Sequence, residues 1–138
     1  MRLDSLRKRA DFLRVQASPH RFSRPAFLLT CLPLPAIAEG EVCVGYTATK
    51  KLGNAVIRNR IKRRLRAASR PLLAAQGQGG CAYVWIARKP AETMDHAEMA
   101  AEMAWALKRA HGFLASARHK QRLIAARPEA SLSEAPEA

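Results

Sequence analysis

Between Lys50 and Arg70 the chain reads KKLGNAVIRNRIKRRLRAASR, which holds nine of its 24 Lys and Arg residues. No Asp or Glu occurs from Val42 to Ala91, so this charge has no local counterion. Guanidinium and ammonium groups at such density suit one task above others: donating charge-assisted hydrogen bonds to phosphate oxygens, with Arg able to do so through two bonds at once. Laid on a helix at about 100° per residue, Ile57, Ile61, Leu65, Ala68 and Leu72 share one narrow apolar arc. Arg58, Lys62, Arg66 and Arg70 wind across the opposite side, with Arg60 and Arg63 beyond them and Asn59 between Arg66 and Arg63. Solvated helix faces mix Lys with Glu at four-residue spacing, because like charges at that spacing repel. A face of cations alone calls for an anionic ligand.

Cutting phosphodiesters without help would require grouped carboxylates holding metal ions, or a His and Lys pair set for acid and base work. The basic stretch has no carboxylate, and the 11 acidic residues lie mostly in the last helix and the tail. There is no P-loop, dinucleotide fingerprint or Gly-x-Ser-x-Gly elbow. Cys31, Cys43 and Cys81 are odd in number, widely spaced and set in apolar segments, which fits buried reduced thiols and neither a disulfide framework nor a zinc site. His20, His96, His111 and His119 are scattered as well. These residues describe a binder, with no catalytic group and no metal ligand expected in this chain.

The totals agree. A chain of 138 residues with 49% hydrophobic content is one domain with a real core, and a net charge of +13 points to nucleic acid or an anionic membrane. Against a membrane, the longest apolar run, Pro25 to Ala38, is broken by Pro33 and Pro35 and is too short to span a bilayer. Arg7-Lys8-Arg9 is followed by Asp11 and Arg14 and not by an apolar stretch, so no secretory signal is read and a cytoplasmic protein is expected. Against duplex DNA, no helix-turn-helix, zipper or zinc module accompanies the basic helix. Irregular RNA fits better, with arginines on phosphates and an aromatic on a splayed base. Phe12 is the candidate ring, and burial against a sheet is an equal alternative for it. The same charge would also serve a non-enzymatic RNA chaperone or a ribosome-associated protein.

The elements that must position these residues follow from the patterning. Leu3, Leu6, Ala10 and Leu13 have helical spacing, which predicts a first helix over Leu3 to Gln16, capped by Asp4-Ser5 and ended by Ser18-Pro19. Ala26 to Leu32 and Val42 to Thr49 read as strands, and whether one or two strands precede the basic helix is left open. Gly53-Asn54 predicts the start of the basic helix and Pro71 its stop. A Gly-rich turn leads to the strand CAYVWIA, and Thr93 to Leu114 reads as a long amphipathic helix with Thr93 and Asp95 as cap candidates. Strand, helix and strand from Val42 to Ala87 imply a crossover packed on a sheet. The predicted domain spans residues 1–117. Residues 118–138 end in RPEASLSEAPEA and have too few large apolar groups to fold alone, which predicts a disordered tail.

The run Lys51-x-Gly53-Asn54-Ala55-Val56-x-Arg58-Asn59-Arg60-x-Lys62-Arg63-x-x-Arg66 resembles the signature of the protein subunit of bacterial ribonuclease P. Arg9-x-Asp11-Phe12, Val44-Gly45-Tyr46-Thr47 and Ile86-Ala87-Arg88-Lys89-Pro90-Ala91 support the resemblance, which covers roughly Leu3 to Leu114 in order. It implies a single compact α/β domain of order αβββαβα, a four-stranded sheet and a left-handed crossover through the basic helix. It also implies a function: joining a catalytic RNA that removes the 5′ leader of precursor tRNA, with the chemistry and the required Mg²⁺ held mainly by the RNA. By position, Lys50, Lys51, Arg58, Asn59, Arg60, Lys62, Arg63 and Arg66 are expected on the catalytic RNA. Phe12, with Arg14, Gln16 and Arg24, is expected in a cleft for the single-stranded leader. Gln16 stands where the family often has a second aromatic.

Overall fold

The computed structural model describes residues 2–125, and side chains over 2–115. Five strands form one sheet in the order β1-β4-β5-β3-β2: β1 is Arg2–Ser5, β2 Arg21–Arg24, β3 Phe27–Pro33, β4 Glu41–Thr47 and β5 Cys81–Ala87. Three helices pack on it: α1 Arg9–Gln16, α2 Ala55–Gln76 and α3 His96–Ala125. β3 runs antiparallel to β5 from Phe27 against Ala87 to Pro33 against Cys81, and β4 runs parallel to β5 from Val42 against Cys81 to Thr47 against Ile86. The parallel pair β4 and β5 is joined through α2, the crossover that the basic stretch predicts.

β5 divides the core by alternation, because successive side chains of a strand point to opposite faces. Tyr83, Trp85 and Ala87 pack with Ile61, Leu65 and Leu73 of α2 and with Met99, Met103 and Leu107 of α3. Ala82 and Val84 pack with Leu6, Leu34 and Val15 of α1 on the other side. The molecule is therefore three layers deep, with α1 alone on one face.

Four expectations change. The sheet has five strands, not four, because residues expected to open the first helix form β1 beside β4, with Arg2 against Glu41 and Ser5 against Val44. The exposed edge of β4 supplies a row of unpaired backbone groups, and pairing them outweighs a weak helical preference. The first helix consequently starts at Arg9, with Lys8 and not Asp4-Ser5 at its N-cap position. Pro71 does not stop α2, which continues to Gln76. Pro71 and Ala67 are both exposed, so the carbonyl deprived of its partner can be satisfied by water, while Leu73 two residues after the proline is fully buried and holds the extension down. Of the cap candidates for α3, Asp95 accepts from the amides of Ala97 at 3.1 Å and Glu98 at 3.3 Å, whereas Thr93 closes the preceding 3₁₀ turn. α3 runs past the predicted domain boundary to Ala125, and the remainder of the predicted tail, 126–138, lies outside the described residues.

Candidate nucleic-acid interface

α2 begins as its sequence dictates. Gly53 has φ 144°, a backbone region that favours glycine, and Asn54 Oδ1 accepts the amide of Ile57 at 3.0 Å. Ile61, Leu65, Ala68 and Leu73 turn into the core, which forces the basic residues outward. Asn59, Arg60, Lys62, Arg63 and Arg66 line one open concavity of about 440 Å³, rimmed by the exposed Val56. Arg58 is half-buried and its Nε has no hydrogen-bond partner among the described residues, while Lys50 and Lys51 are exposed on the 3₁₀ turn Lys50–Leu52 that leads into α2.

Tyr46 supports this surface from below, and Glu92 places one carboxylate within reach of its charge. Tyr46 of β4 lies under Arg66, whose guanidinium carbon is 5.4 Å from the ring centroid. The Tyr46 hydroxyl is 2.6 Å from Ser69 Oγ, and burial pushes its phenol pKa above the usual range. The carboxylate of Glu92 is engaged by Lys89 at 2.7 Å, which lowers its pKa first by that hydrogen bond and then by the charges of Lys89 and Arg60.

Arg64 is the exception within the basic run. Its Nε donates to the Ala91 carbonyl at 3.0 Å and its Nη2 to the Met94 carbonyl, so it fastens α2 to the turn before α3. Lys89 performs a related task, donating to the Leu52 carbonyl at 3.1 Å. No sequence pattern separates Arg64 from Arg63 except its angle on the helix.

The second site lies on the α1 face. Arg7, Arg9, Phe12, Leu13, Gln16 and Thr47 enclose a cavity of about 300 Å³. Phe12 is half-buried, its ring resting on the backbone of Gly45, where a Cβ would meet Cε1 and Cζ at 2.4 Å. The alternatives for Phe12 thus merge: one side of the ring packs on the sheet and the rest opens into the cavity. Arg7, Arg9, Leu13 and Thr47 went unnoticed in the sequence as cavity residues, although Leu13 is 53% exposed within what reads as an apolar stripe.

The four leader-cleft residues expected from sequence are not all brought together. Phe12 and Gln16 share the cavity, and Arg14 is exposed on the same helix. Arg24 is elsewhere: it pairs with Glu102 of α3 and lies 4.4 Å from the Trp105 ring, on the opposite face of the sheet. Among the described residues no cluster of three His, Cys, Asp or Glu is placed to hold a metal ion, and no helix is long and apolar enough to cross a membrane.

Comparisons with known proteins bear on the family and the fold. The family model Ribonuclease P matches residues 1–111. The ribonuclease P protein component of Paramagnetospirillum magneticum is 39% identical over 110 residues, covering 78% of this chain and 83% of that protein. The counterpart in Erythrobacter litoralis is 38% identical over 117 residues, covering 85% of this chain and 93% of that protein. Among solved structures, the Staphylococcus aureus RNase P protein superposes with a TM-score of 0.64 at 29% identity, covering 77% of this chain and 94% of that one. The Thermotoga maritima RNase P protein, at 24% identity and a TM-score of 0.63, shares the fold. With its cationic helix, its aromatic cavity and a match over most of its length, this chain belongs to the ribonuclease P protein family.

Proposed function

We infer that this chain is the protein subunit of ribonuclease P, the ribonucleoprotein endonuclease that removes the 5′ leader of precursor tRNA. The observation that carries the reading is a cationic α2 face free of carboxylates, in a chain matched by the family model over residues 1–111. Its partners are the catalytic RNA and the precursor. Asn59, Arg60, Lys62, Arg63 and Arg66 bind the catalytic RNA together with Arg58, Lys50 and Lys51, each cation taking a phosphate and Asn59 an adjoining polar group. Unpaired cations over a low-dielectric core act more strongly than the same groups in water.

The α1 cavity takes the single-stranded leader. One nucleotide base stacks on the open part of Phe12, Gln16 offers an amide, and Arg7, Arg9 and Arg14 meet the backbone. Gln16 replaces stacking with hydrogen bonding, which shifts leader affinity here toward polar and ionic contacts. Holding the leader favours precursor over product, since only the precursor has it. The left-handed sense of the crossover belongs to the same family reading.

Hydrolysis belongs to the RNA. Mg²⁺ prefers carboxylate, phosphate and water oxygens, and the α2 face provides cations and one amide, so these residues do not fit a resident divalent ion. Their part is to neutralise phosphate repulsion, which lowers the Mg²⁺ concentration at which the RNA works.

Cleavage of labelled precursor tRNA at low Mg²⁺ tests the proposal, comparing the chain alone, a bacterial ribonuclease P RNA alone and the mixture. Cleavage in the mixture only is the expected result. RNA binding without stimulation would point to an RNA chaperone, and cleavage by the chain alone would place an active site within the protein.

A further inference from the structure

A second group of stacked cations lies away from both sites. Trp105 projects from the outer flank of α3, 38% exposed, and two guanidinium groups approach its ring: Arg24 of β2 at 4.4 Å and Arg109 at 4.3 Å from the centroid. One end of the same flank is closed by His20 stacked on Phe113, with ring centroids 3.7 Å apart. Arg24 is held by Glu102, but Arg21, Lys108 and Arg109 are exposed and enter no ion pair among the described residues.

Stacking changes what an arginine can do. A guanidinium over a ring keeps its N–H donors in its own plane, directed outward, while the ring removes much of the rotamer freedom that binding would otherwise cost. Arg109 is therefore a preorganised donor edge without an acceptor among the described residues. Two cations cover the Trp105 indole, so the flank presents charge and not an open apolar anchor. The charge that remains uncompensated, from Arg21, Lys108 and Arg109, complements phosphate.

Position selects which RNA. α2 packs over β1, β4 and β5, and α3 lies beside it over β3 and β2, on the same face of the sheet. The Phe12 cavity is on the other face, with α1. An extended RNA lying on α2 reaches the α3 flank by continuing sideways. A leader strand in the α1 cavity would have to cross the sheet.

We propose that the β2 and α3 flank, where Arg24 and Arg109 stack on Trp105 beside Arg21 and Lys108, is a second phosphate-binding surface for the backbone of the catalytic RNA. The inference rests on the ribonuclease P reading, and its test separates the two. Binding of ribonuclease P RNA is measured over a salt series for the full chain and for Arg109→Gln, Arg109→Lys and Trp105→Leu. Arg109→Gln weakens binding about tenfold and reduces the salt slope by about one. Arg109→Lys restores the slope and part of the affinity, because charge returns without the planar fork. Trp105→Leu keeps the slope and loses several-fold in affinity as the guanidinium becomes mobile; should that variant fail to fold, the exposed Arg109 pair still decides. Absence of RNA binding by the unsubstituted chain would overturn the subunit reading and this surface with it. Normal binding by the unsubstituted chain, with Arg109→Gln matching it in affinity and slope, would overturn the surface alone. A changed sedimentation of Arg109→Gln with unchanged RNA binding would also overturn it, assigning the flank to contacts between protein chains.

Discussion

The Phe12 ring rests on the bare backbone of Gly45, so closely that a methyl group at position 45 would stand 2.4 Å from both Cε1 and Cζ. The glycine thus sets the height of the ring in the cavity. Gly45→Ala must lift Phe12 or strain the strand, and overpacking of this kind costs about 1–3 kcal/mol. Thermal denaturation should record the loss, and affinity should fall more for a leader-bearing precursor than for a leaderless one.

Phe12→Ala leaves Gly45 uncovered yet removes a ring that is only half-buried. The fold should survive by circular dichroism, and precursor binding should weaken by about 1–3 kcal/mol, the contribution of one stacked base. Unfolding of this variant would assign the ring to the core.

Arg63 and Arg64 are sequence neighbours with opposite duties. Arg63 lines the α2 concavity, and Arg64 donates to the carbonyls of Ala91 and Met94. Replacing Arg58 and Arg63 by Ala should lower the salt slope of RNA binding by about one to two and leave stability nearly unchanged. Arg64→Ala should do the reverse, losing about 1–3 kcal/mol in denaturant unfolding as charged hydrogen bonds to two carbonyls disappear.

Asn54 caps α2 through the Ile57 amide at 3.0 Å. Asn54→Ala should cost about 1 kcal/mol in chemical denaturation. Asn54→Asp should retain the cap, because a carboxylate at a helix N-terminus is also favoured.

The cysteines should differ in reactivity. Burial pushes the Cys31 thiol up to about 12 and also raises that of Cys43, which is half-exposed. Thiolate is the reactive form and needs access to the reagent. Alkylation of the native protein at mildly alkaline pH should therefore label Cys43 slowly and leave Cys31 intact until denaturant is added, as read by peptide mass spectrometry.

Periodicity and charge alone determined the basic helix, its cap at Asn54, the strand Cys81–Ala87 and the outward cations, since those follow from local spacing that any docked helix or strand must obey. Asn59, Arg60, Lys62, Arg63 and Arg66 could be read as one surface because three- and four-residue steps make side chains neighbours on a helix. Tertiary structure decided what depends on partners far along the chain. Arg2–Ser5 became a strand because β4 offered an edge, and α2 ran through Pro71 because Leu73 had a core to enter. Arg24 went to Glu102 and Trp105, 78 and 81 positions away, and no local pattern encodes that distance. The anchoring part of Arg64 is non-local for the same reason: the carbonyls it satisfies exist as neighbours only after the turn before α3 has folded against α2.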